Sequence, residues 1–331
     1  MNQESILTGI KPTGKVHIGN YFGAIKPMIE LINKSNCHSF AFIADYHALT
    51  TVETAEDLTK STYEVASTWL ACGLNPEKVF FYRQSDVPEI FELFTILTNI
   101  TPKGLMNRAH AYKAIVDENL SKKEDADANI NMGLYNYPIL MAADILLFST
   151  AKVPVGLDQK QHIEIARDIA GFFNNKYGNV LRVPEEVIEK SVATITGLDG
   201  RKMSKSYNNV IELFADVATL QKTISRIVTD SSGPEEPKGT DNAIYELYKL
   251  FASDEECKDF ENKLSSGISW ADAKRMLFEK ANEIIAPMRE KYDYYINNPK
   301  IVDEILKSGA DKAREIAKEN IKRVKEAIGV L

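Results

Sequence analysis

Residues 5–20 read Ser-Ile-Leu-Thr-Gly-Ile-Lys-Pro-Thr-Gly-Lys-Val-His-Ile-Gly-Asn. Ser5–Ile10 is an apolar run that predicts a buried strand, and Tyr21–Asn33 repeats apolar residues at helical spacing. A glycine-rich turn between strand and helix lets the backbone come close to an anionic ligand, and the helix start adds unpaired N–H groups. The stretch matches neither the Walker loop nor the dinucleotide-binding glycine pattern, so a simple tight turn explains it equally well on its own.

Strands and helices continue to alternate after this turn. His38–Ala44 and Lys78–Tyr82 read as further strands, and Thr54 is expected to cap a helix that closes at Gly73. Apolar strands separated by amphipathic helices predict an α/β fold with a parallel sheet that is covered on both faces. Ligands of such sheets bind beyond the carboxyl ends of the strands, and Asp45-Tyr46-His47 lies at one of these ends.

The second half of the chain changes character. A helix over 137–150, a strand over 153–155 and a helix over 161–176 follow a more polar stretch, and from residue 212 onward only helices are predicted. We therefore expect an α/β domain over residues 1–210 and an all-α region over residues 211–331. The last helix is expected to pack back on the α/β domain.

Composition limits the class of protein. The 331 residues carry a net charge of −7 at pH 7, which excludes a general polyanion-coating protein but allows a local basic patch. No apolar run reaches the roughly 18 residues of a membrane helix, and no signal-peptide pattern is present. Three scattered cysteines argue against structural zinc and disulfides, so a cytoplasmic protein is expected.

A second glycine-rich turn, Gly197-Leu-Asp-Gly200, leads into the run Lys202-Met-Ser-Lys-Ser206. Two lysines and two small hydroxyl residues in an exposed loop can wrap a polyphosphate through charge and hydrogen bonds together. Alone, the run would be read as a solvated surface. Together with the turn at residues 8–21, it reads as one half of a nucleotide clamp.

These two segments resemble the signature sequences of the class I aminoacyl-tRNA synthetases, in the form His17-Ile-Gly-Asn20 and Lys202–Ser206. The resemblance covers residue 6 to the C-terminal helix, and it is closest to the bacterial tryptophanyl branch of the family. It implies a Rossmann-type catalytic domain, an anticodon-binding helical region and a homodimer. Three further segments carry it: residues 137–147, residues 153–162 and residues 228–231.

The reaction that the resemblance implies has two steps. Tryptophan attacks the α-phosphate of ATP to give tryptophanyl-adenylate and pyrophosphate, and the acyl group then passes to the 3′ end of tRNA(Trp). Lys202 and Lys205 are expected to stabilise the leaving pyrophosphate, with His17 near the phosphates and a general-base role for it disfavoured. Mg²⁺ is expected to be held mainly by the ATP phosphates, without zinc.

The resemblance also assigns residues to the two substrate sites. Asp144 lies on an otherwise apolar helix, where it reads either as an ion-paired or exposed position or, by the resemblance, as the acceptor of the indole N–H. The remaining tryptophan residues are Met141, Tyr137, His47, Val153, Val155 and Gln159. The ATP residues are Lys11, Pro12, Thr13, Gly19, Asn20, Gly156, Leu157, Asp158, Ile195, Lys202, Met203, Ser204, Lys205 and Ser206.

Other readings stay open at this point. A tyrosyl-tRNA synthetase is disfavoured by Met141, where tyrosyl relatives carry Gln. A tRNA-independent nucleotidyltransferase is disfavoured by the helical region, and a non-catalytic paralogue by the intact lysines. The sequence departs from many relatives at Lys11, where they have Gln, and over Arg108–Lys113. Residues 101–123 carry a local excess of positive charge and are a candidate contact for the tRNA acceptor stem.

Overall fold

The computed structural model describes residues 5–12, 14–35, 37–150, 152–155, 159–188 and 195–331. Its centre is a parallel sheet with the strand order β3-β2-β1-β4-β5. The predicted strands before residue 160 are confirmed to within about two residues, whereas β5 was not predicted because it is short and begins with two glutamates. The strands are β1 (Ser5–Ile10), β2 (His38–Ile43), β3 (Phe80–Arg83), β4 (Lys152–Val155) and β5 (Glu185–Ile188).

Helices connect the strands and cover the sheet. Thr54 caps α4 by accepting a hydrogen bond from the backbone N–H of Asp57 at 3.1 Å, and Gly73 follows the helix with a φ of 101°. Helix α8 begins earlier than predicted because Asn131 caps it through the N–H of Leu134 at 2.8 Å. The helices are α1 (Ile18–Asn20), α2 (Lys26–Lys34) after a π-helical turn (Tyr21–Ile25), α3 (Asp45–Ala48), α4 (Ala55–Ala71), α5 (Glu89–Thr98), α6 (Lys103–Met106), α7 (His110–Ser121), α8 (Met132–Leu147) and α9 (Lys160–Tyr177).

Every helix or strand that the structure describes after residue 210 is a helix, as predicted. Among the described residues, no helix has the length and apolar character needed to cross a membrane. The helices of this region are α10 (Val217–Ser225), α11 (Ala243–Tyr248), α12 (Asp254–Ser266), α13 (Trp270–Asn297) and α14 (Pro299–Ala327).

Two hydrophobic clusters hold the sheet between its helices. One cluster contains Ile43 and Trp69 and continues without a break into side chains beyond residue 210, such as Leu213 and Leu277. The other contains Phe40 from β2 together with side chains from α5, α8, α9 and the last helix. Burial of apolar side chains on both faces is the main source of stability expected for a parallel sheet.

The last helix, α14, packs directly against β3, which lies at one end of the sheet. A Cβ atom at Gly309 would come within 2.0 Å of the carbonyl oxygen of Phe81, so only glycine allows this approach. Arg314 of α14 donates two hydrogen bonds to Glu89 Oε1, at 2.9 and 3.1 Å. Asp303, also on α14, accepts a hydrogen bond from Arg83 of β3 at 2.9 Å. Covering an edge strand in this way protects it from pairing with another chain.

We predict that Gly309→Ala destabilises the protein by about 1–3 kcal/mol, because the added methyl group pushes α14 away from β3. The matched control is Gly171→Ala in α9, where nothing beyond its chain neighbours and the helix's own backbone lies within 4 Å of the new Cβ. That variant should be neutral or gain up to about 1 kcal/mol from helix propensity. Thermal unfolding of both variants measures the difference, and equal melting temperatures would contradict the close approach.

Candidate active site

A cavity of about 710 Å³ opens at the carboxyl ends of β1, β2 and β4. It lies where the strand order turns from β2 on one side of β1 to β4 on the other, which is the usual ligand position in such sheets. The predicted site residues that line it are Lys11, Asn20, His47, Tyr137, Met141, Asp144, Val153, Gln159 and Lys205.

The structure describes other predicted site residues that do not line this cavity. They are Pro12, His17, Gly19, Ile195, Lys202, Met203, Ser204 and Ser206. Thr13, Gly156, Leu157 and Asp158 lie outside the described residues, and Val155 is described only as part of the backbone of β4. The structure therefore brings together the predicted tryptophan residues more completely than the predicted ATP residues.

Asp144 is a buried carboxylate in the wall of the cavity, with 1% of its surface exposed. His47 Nε2 donates to Asp144 Oδ2 at 3.0 Å, and Gln84 Nε2 donates to both carboxylate oxygens at 2.9 Å. Burial raises the pKa of Asp144, while the hydrogen bonds from His47 and Gln84 oppose that shift. A carboxylate has about four acceptor positions, so capacity remains for one more donor from the cavity.

Two aromatic side chains and an amide form a hydrogen-bonded chain along another wall. Tyr137 Oη bonds to His162 Nε2, and His162 Nδ1 bonds to Gln159 Oε1 at 2.8 Å. Burial raises the pKa of Tyr137. All three side chains line the cavity, so the cavity wall is polar here as well as at Asp144.

His17 caps the first helix after β1. Its Nδ1 accepts from the backbone N–H of Asn20 at 3.2 Å, and Asn20 Oδ1 accepts from the backbone N–H of His17 at 3.2 Å. Burial and the positive charge of Lys205 lower the pKa of His17 to about 4. Because Nδ1 is an acceptor, the neutral ring carries its proton on Nε2.

Gly19 is tightly enclosed by its own surroundings. A Cβ atom there would lie 2.9 Å from His17 Nδ1 and 3.3 Å from the Cβ of Met203. The backbone N–H of Gly19 also lies 3.3 Å from the sulfur of Met203. The glycine therefore lets the loop at residues 197–209 reach the start of the first helix.

Asn209, which the sequence did not single out, organises that loop. Its side chain accepts from the backbone N–H of Ser204 at 2.8 Å and donates to Asp199 at 2.7 Å and to the carbonyl of Lys202 at 3.1 Å. The hydrogen bond from Asn209, with those from Arg201, lowers the pKa of Asp199 to about 2. A buried asparagine thus fixes the backbone that carries both lysines.

The two loop lysines occupy different positions. Both are exposed, but Lys205 lines the cavity beside Gly14 and partial burial lowers its pKa, whereas Lys202 does not line the cavity. A second cation, Lys11, lines the cavity and donates to Thr50 Oγ1 at 3.1 Å. The cavity therefore carries positive charge at the end of β1 and from within the 197–209 loop.

Sequence reasoning missed several contributors to the site. Gln84 follows the carboxyl end of β3, so the rule applied to Asp45–His47 would also have pointed to it. His162 lies three residues after Gln159, one helical turn away. Ala111 also lines the cavity, and it lies in the segment Arg108–Lys113 where the sequence differs from many relatives. Among the described residues, no cluster of three or more metal-ligating side chains is present.

The sequence and the fold both match one known family. The family model for tRNA synthetases class I (W and Y) matches residues 2–286. The chain belongs to this family.

Curated relatives of this class I synthetase are named tryptophan–tRNA ligase. One from Bordetella parapertussis is 51% identical over 98% of this chain and 73% of its own length, and one from Neisseria meningitidis is 47% identical over 100% and 99%. A solved tryptophanyl-tRNA synthetase from Campylobacter jejuni, complexed with ADP and tryptophan, superimposes with a TM-score of 0.90. That structure is 44% identical and covers 98% of this chain and 99% of its own.

We predict that His17 of this class I synthetase remains mostly neutral at about pH 5, where an ordinary imidazole is almost fully protonated. The unfolded chain then binds the proton more readily, so this residue lowers stability as pH falls from 6.5 to about 4. NMR of ¹⁵N-histidine-labelled protein measures the titration and should show the Nε2–H tautomer.

The matched variants for this measurement are Lys205→Ala and Lys202→Ala. Lys205→Ala should raise the pKa of His17 because it removes a nearby positive charge, and Lys202→Ala should leave it unchanged. A ring that titrates like a free histidine, or that carries its proton on Nδ1, would contradict the environment described here.

Proposed function

We propose that the chain is a tryptophan–tRNA ligase. It activates L-tryptophan with ATP to tryptophanyl-adenylate and pyrophosphate, and then transfers tryptophan to the 3′ end of tRNA(Trp). The observation that carries this proposal is Asp144, a buried hydrogen-bond acceptor in a cavity whose walls are otherwise largely apolar. The names of relatives about half identical to this chain support the same activity.

The pocket around Asp144 suits an indole. The indole N–H is the one polar group on the tryptophan side chain, and Asp144 has an acceptor position left for it. Met141 lies on the same face of α8 and lines the cavity, where its flexible thioether can pack against an aromatic ring. A tyrosine hydroxyl could also donate to Asp144, but the smaller ring would leave unfilled space beside Met141.

Adenylate formation needs no protein nucleophile, because the tryptophan carboxylate is already ionised. Positioning and charge stabilisation must therefore supply the acceleration. Lys205 and Lys11 place positive charge in the cavity, and the neutral His17 ring has an N–H available for a phosphate oxygen. Lys202 can share this role only if its side chain turns from solvent towards the cavity.

ATP is proposed to bind between residues 11–20 and the 197–209 loop, with a ribose contact from Asp158. Mg²⁺ is proposed to be held mainly by the phosphate oxygens of ATP, as this ion usually is at nucleotide sites. The ion would supply further charge neutralisation on the phosphates. The ADP in the Campylobacter jejuni structure supports nucleotide binding at this fold.

We propose that tRNA binding uses both parts of the chain. Residues 1–210 would form the catalytic domain and residues 211–331 the anticodon-binding region. The acceptor stem would lie on residues 101–123, where Lys103, Arg108, Lys113 and Lys123 are exposed on or beside α6 and α7. A cytoplasmic enzyme is proposed because its tRNA substrate is there.

The test is amino-acid-dependent exchange of labelled pyrophosphate into ATP, with each amino acid offered separately and no tRNA present. Exchange with tryptophan alone is expected. Exchange with tyrosine would mean that the pocket around Asp144 has been misread. Absence of exchange with every amino acid would favour a transferase that never meets tRNA, or an inactive paralogue.

Two variants should separate the two substrate sites in this assay. Asp144→Ala is expected to reduce kcat/KM for tryptophan by roughly 10- to 150-fold, the value of a charged hydrogen bond, with little change in KM for ATP. Lys205→Ala should lower kcat by ~10²-fold or more and leave KM for tryptophan nearly unchanged. Equal effects of Asp144→Ala on both substrates would rule out its assignment to tryptophan.

A homodimer is proposed from a groove on the outer surface, which we name the outer groove. It has a volume of about 450 Å³ and is lined by Tyr46, Leu49, Thr50, Phe94, Met132, Leu140 and neighbouring residues. Leu49 is 55% exposed and Met132 66% exposed, and apolar surface of this kind is typical of an interface. His47, Thr50 and Tyr137 line both the outer groove and the cavity, so a second copy would brace the active site.

We predict that Met132→Lys converts a dimer to a monomer, because it places a charge in an apolar interface. The matched control is Val217→Lys, which changes a similarly exposed residue at the start of α10, outside the outer groove. Sedimentation velocity distinguishes the states. A wild-type monomer, or a dimer in Met132→Lys, would refute this interface.

A further inference from the structure

His162 is a buried polar residue that the proposed reaction does not use. It is 7% exposed, lies in the first turn of α9 and lines the cavity beside Tyr137 and Gln159. Its two ring nitrogens bond to two different side chains, Nε2 to Tyr137 Oη and Nδ1 to Gln159 Oε1. A ring bonded at both nitrogens has its tautomer fixed by its partners.

The direction of these hydrogen bonds follows from the chemistry of the groups. Gln159 Oε1 is a carbonyl oxygen and can only accept, so His162 Nδ1 carries the proton. In the neutral ring Nε2 then has only a lone pair, and it accepts the O–H of Tyr137. The proton of Tyr137 is therefore directed at His162, and its oxygen offers only lone pairs to the cavity.

The position of Tyr137 shows which part of the amino acid it meets. Tyr137, Met141 and Asp144 are spaced i, i+4 and i+7 and therefore lie on one face of α8. Seven residues of helix span about 10 Å, so the two polar groups stand at opposite ends of a site lined by Met141. A tryptophan with its indole N–H at Asp144 directs its α-amino and carboxylate groups towards Tyr137.

We propose that His162 is a positioning residue that fixes Tyr137 as a hydrogen-bond acceptor for the α-ammonium group of tryptophan. This rests on the proposed function. A tyrosine hydroxyl free to rotate would also point its proton into the cavity, where it would oppose an ammonium group. With His162 in place a ligand with a cationic donor at this position gains a hydrogen bond that a ligand without one does not make.

The test compares L-tryptophan with indole-3-propionate, which keeps the indole and the carboxylate but lacks the amino group. In His162→Phe, KM for tryptophan in the exchange assay should rise about 10-fold while kcat changes little. The inhibition constant of indole-3-propionate should stay within about twofold of its wild-type value. A purely structural role for His162 would weaken both ligands by the same factor, and that result would overturn the proposal.

Two further measurements make the test independent of a single variant. Because His162 acts through Tyr137, the double variant Tyr137→Phe/His162→Phe should be no worse for tryptophan than Tyr137→Phe alone, and additive losses would refute the coupling. In the wild-type protein, ¹⁵N NMR should show His162 protonated at Nδ1, and a proton on Nε2 in the neutral ring would also overturn it. Tryptophan-dependent exchange by the wild-type enzyme tests the proposed function separately.

Discussion

The arrangement of the site depends on supplying hydrogen-bond partners to one buried carboxylate. Asp144 is buried on an apolar helix, where an unpaired carboxylate would be strongly destabilising. Its partners come from two other places in the chain: His47 from the helix after β2 and Gln84 from the turn after β3. Those three elements must therefore meet at one end of the sheet. The carbonyl oxygen of Gln84 has no donor among the described residues, which indicates that Asp144 dictates the orientation of the amide.

The same principle, a hydrogen-bonding group whose polarity is fixed by its neighbours, recurs around the cavity. The backbone N–H of Asn20 commits His17 Nδ1 as an acceptor, and Gln159 commits His162 Nδ1 as a donor. Groups fixed in this way do not reorient when a ligand binds, so little free energy is lost in rearranging them. The lysines supply positive charge, whereas the two histidines supply ring nitrogens whose donor or acceptor role is already fixed.

The sequence was sufficient for the parts of the fold that depend on local pattern. Periodicity located β1, β2 and the helix capped by Thr54, and an acid on an apolar helix already marked Asp144. The sequence could not show which residues form hydrogen bonds to Asp144. Gln84 is distant in the chain from Asp144, and only the sheet order brings them together. Nor could it separate Lys202 from Lys205, because one motif contains both and only the folded loop places one in the cavity.

The 197–209 loop carries both lysines on a backbone that is fixed at two places. Met203 is buried against Gly19, its backbone N–H donates to the carbonyl of Ile195 at 2.8 Å, and Asn209 is buried within the loop. Met203 holds the loop on the first helix and Asn209 fixes the shape of its backbone, while Lys202 and Lys205 remain exposed around them. Movement of either ammonium group towards a phosphate therefore comes from the side chain or from the short turn Lys205–Tyr207. Displacement of the whole loop would first require Met203 to leave its buried position, with the loss of apolar contact that this entails.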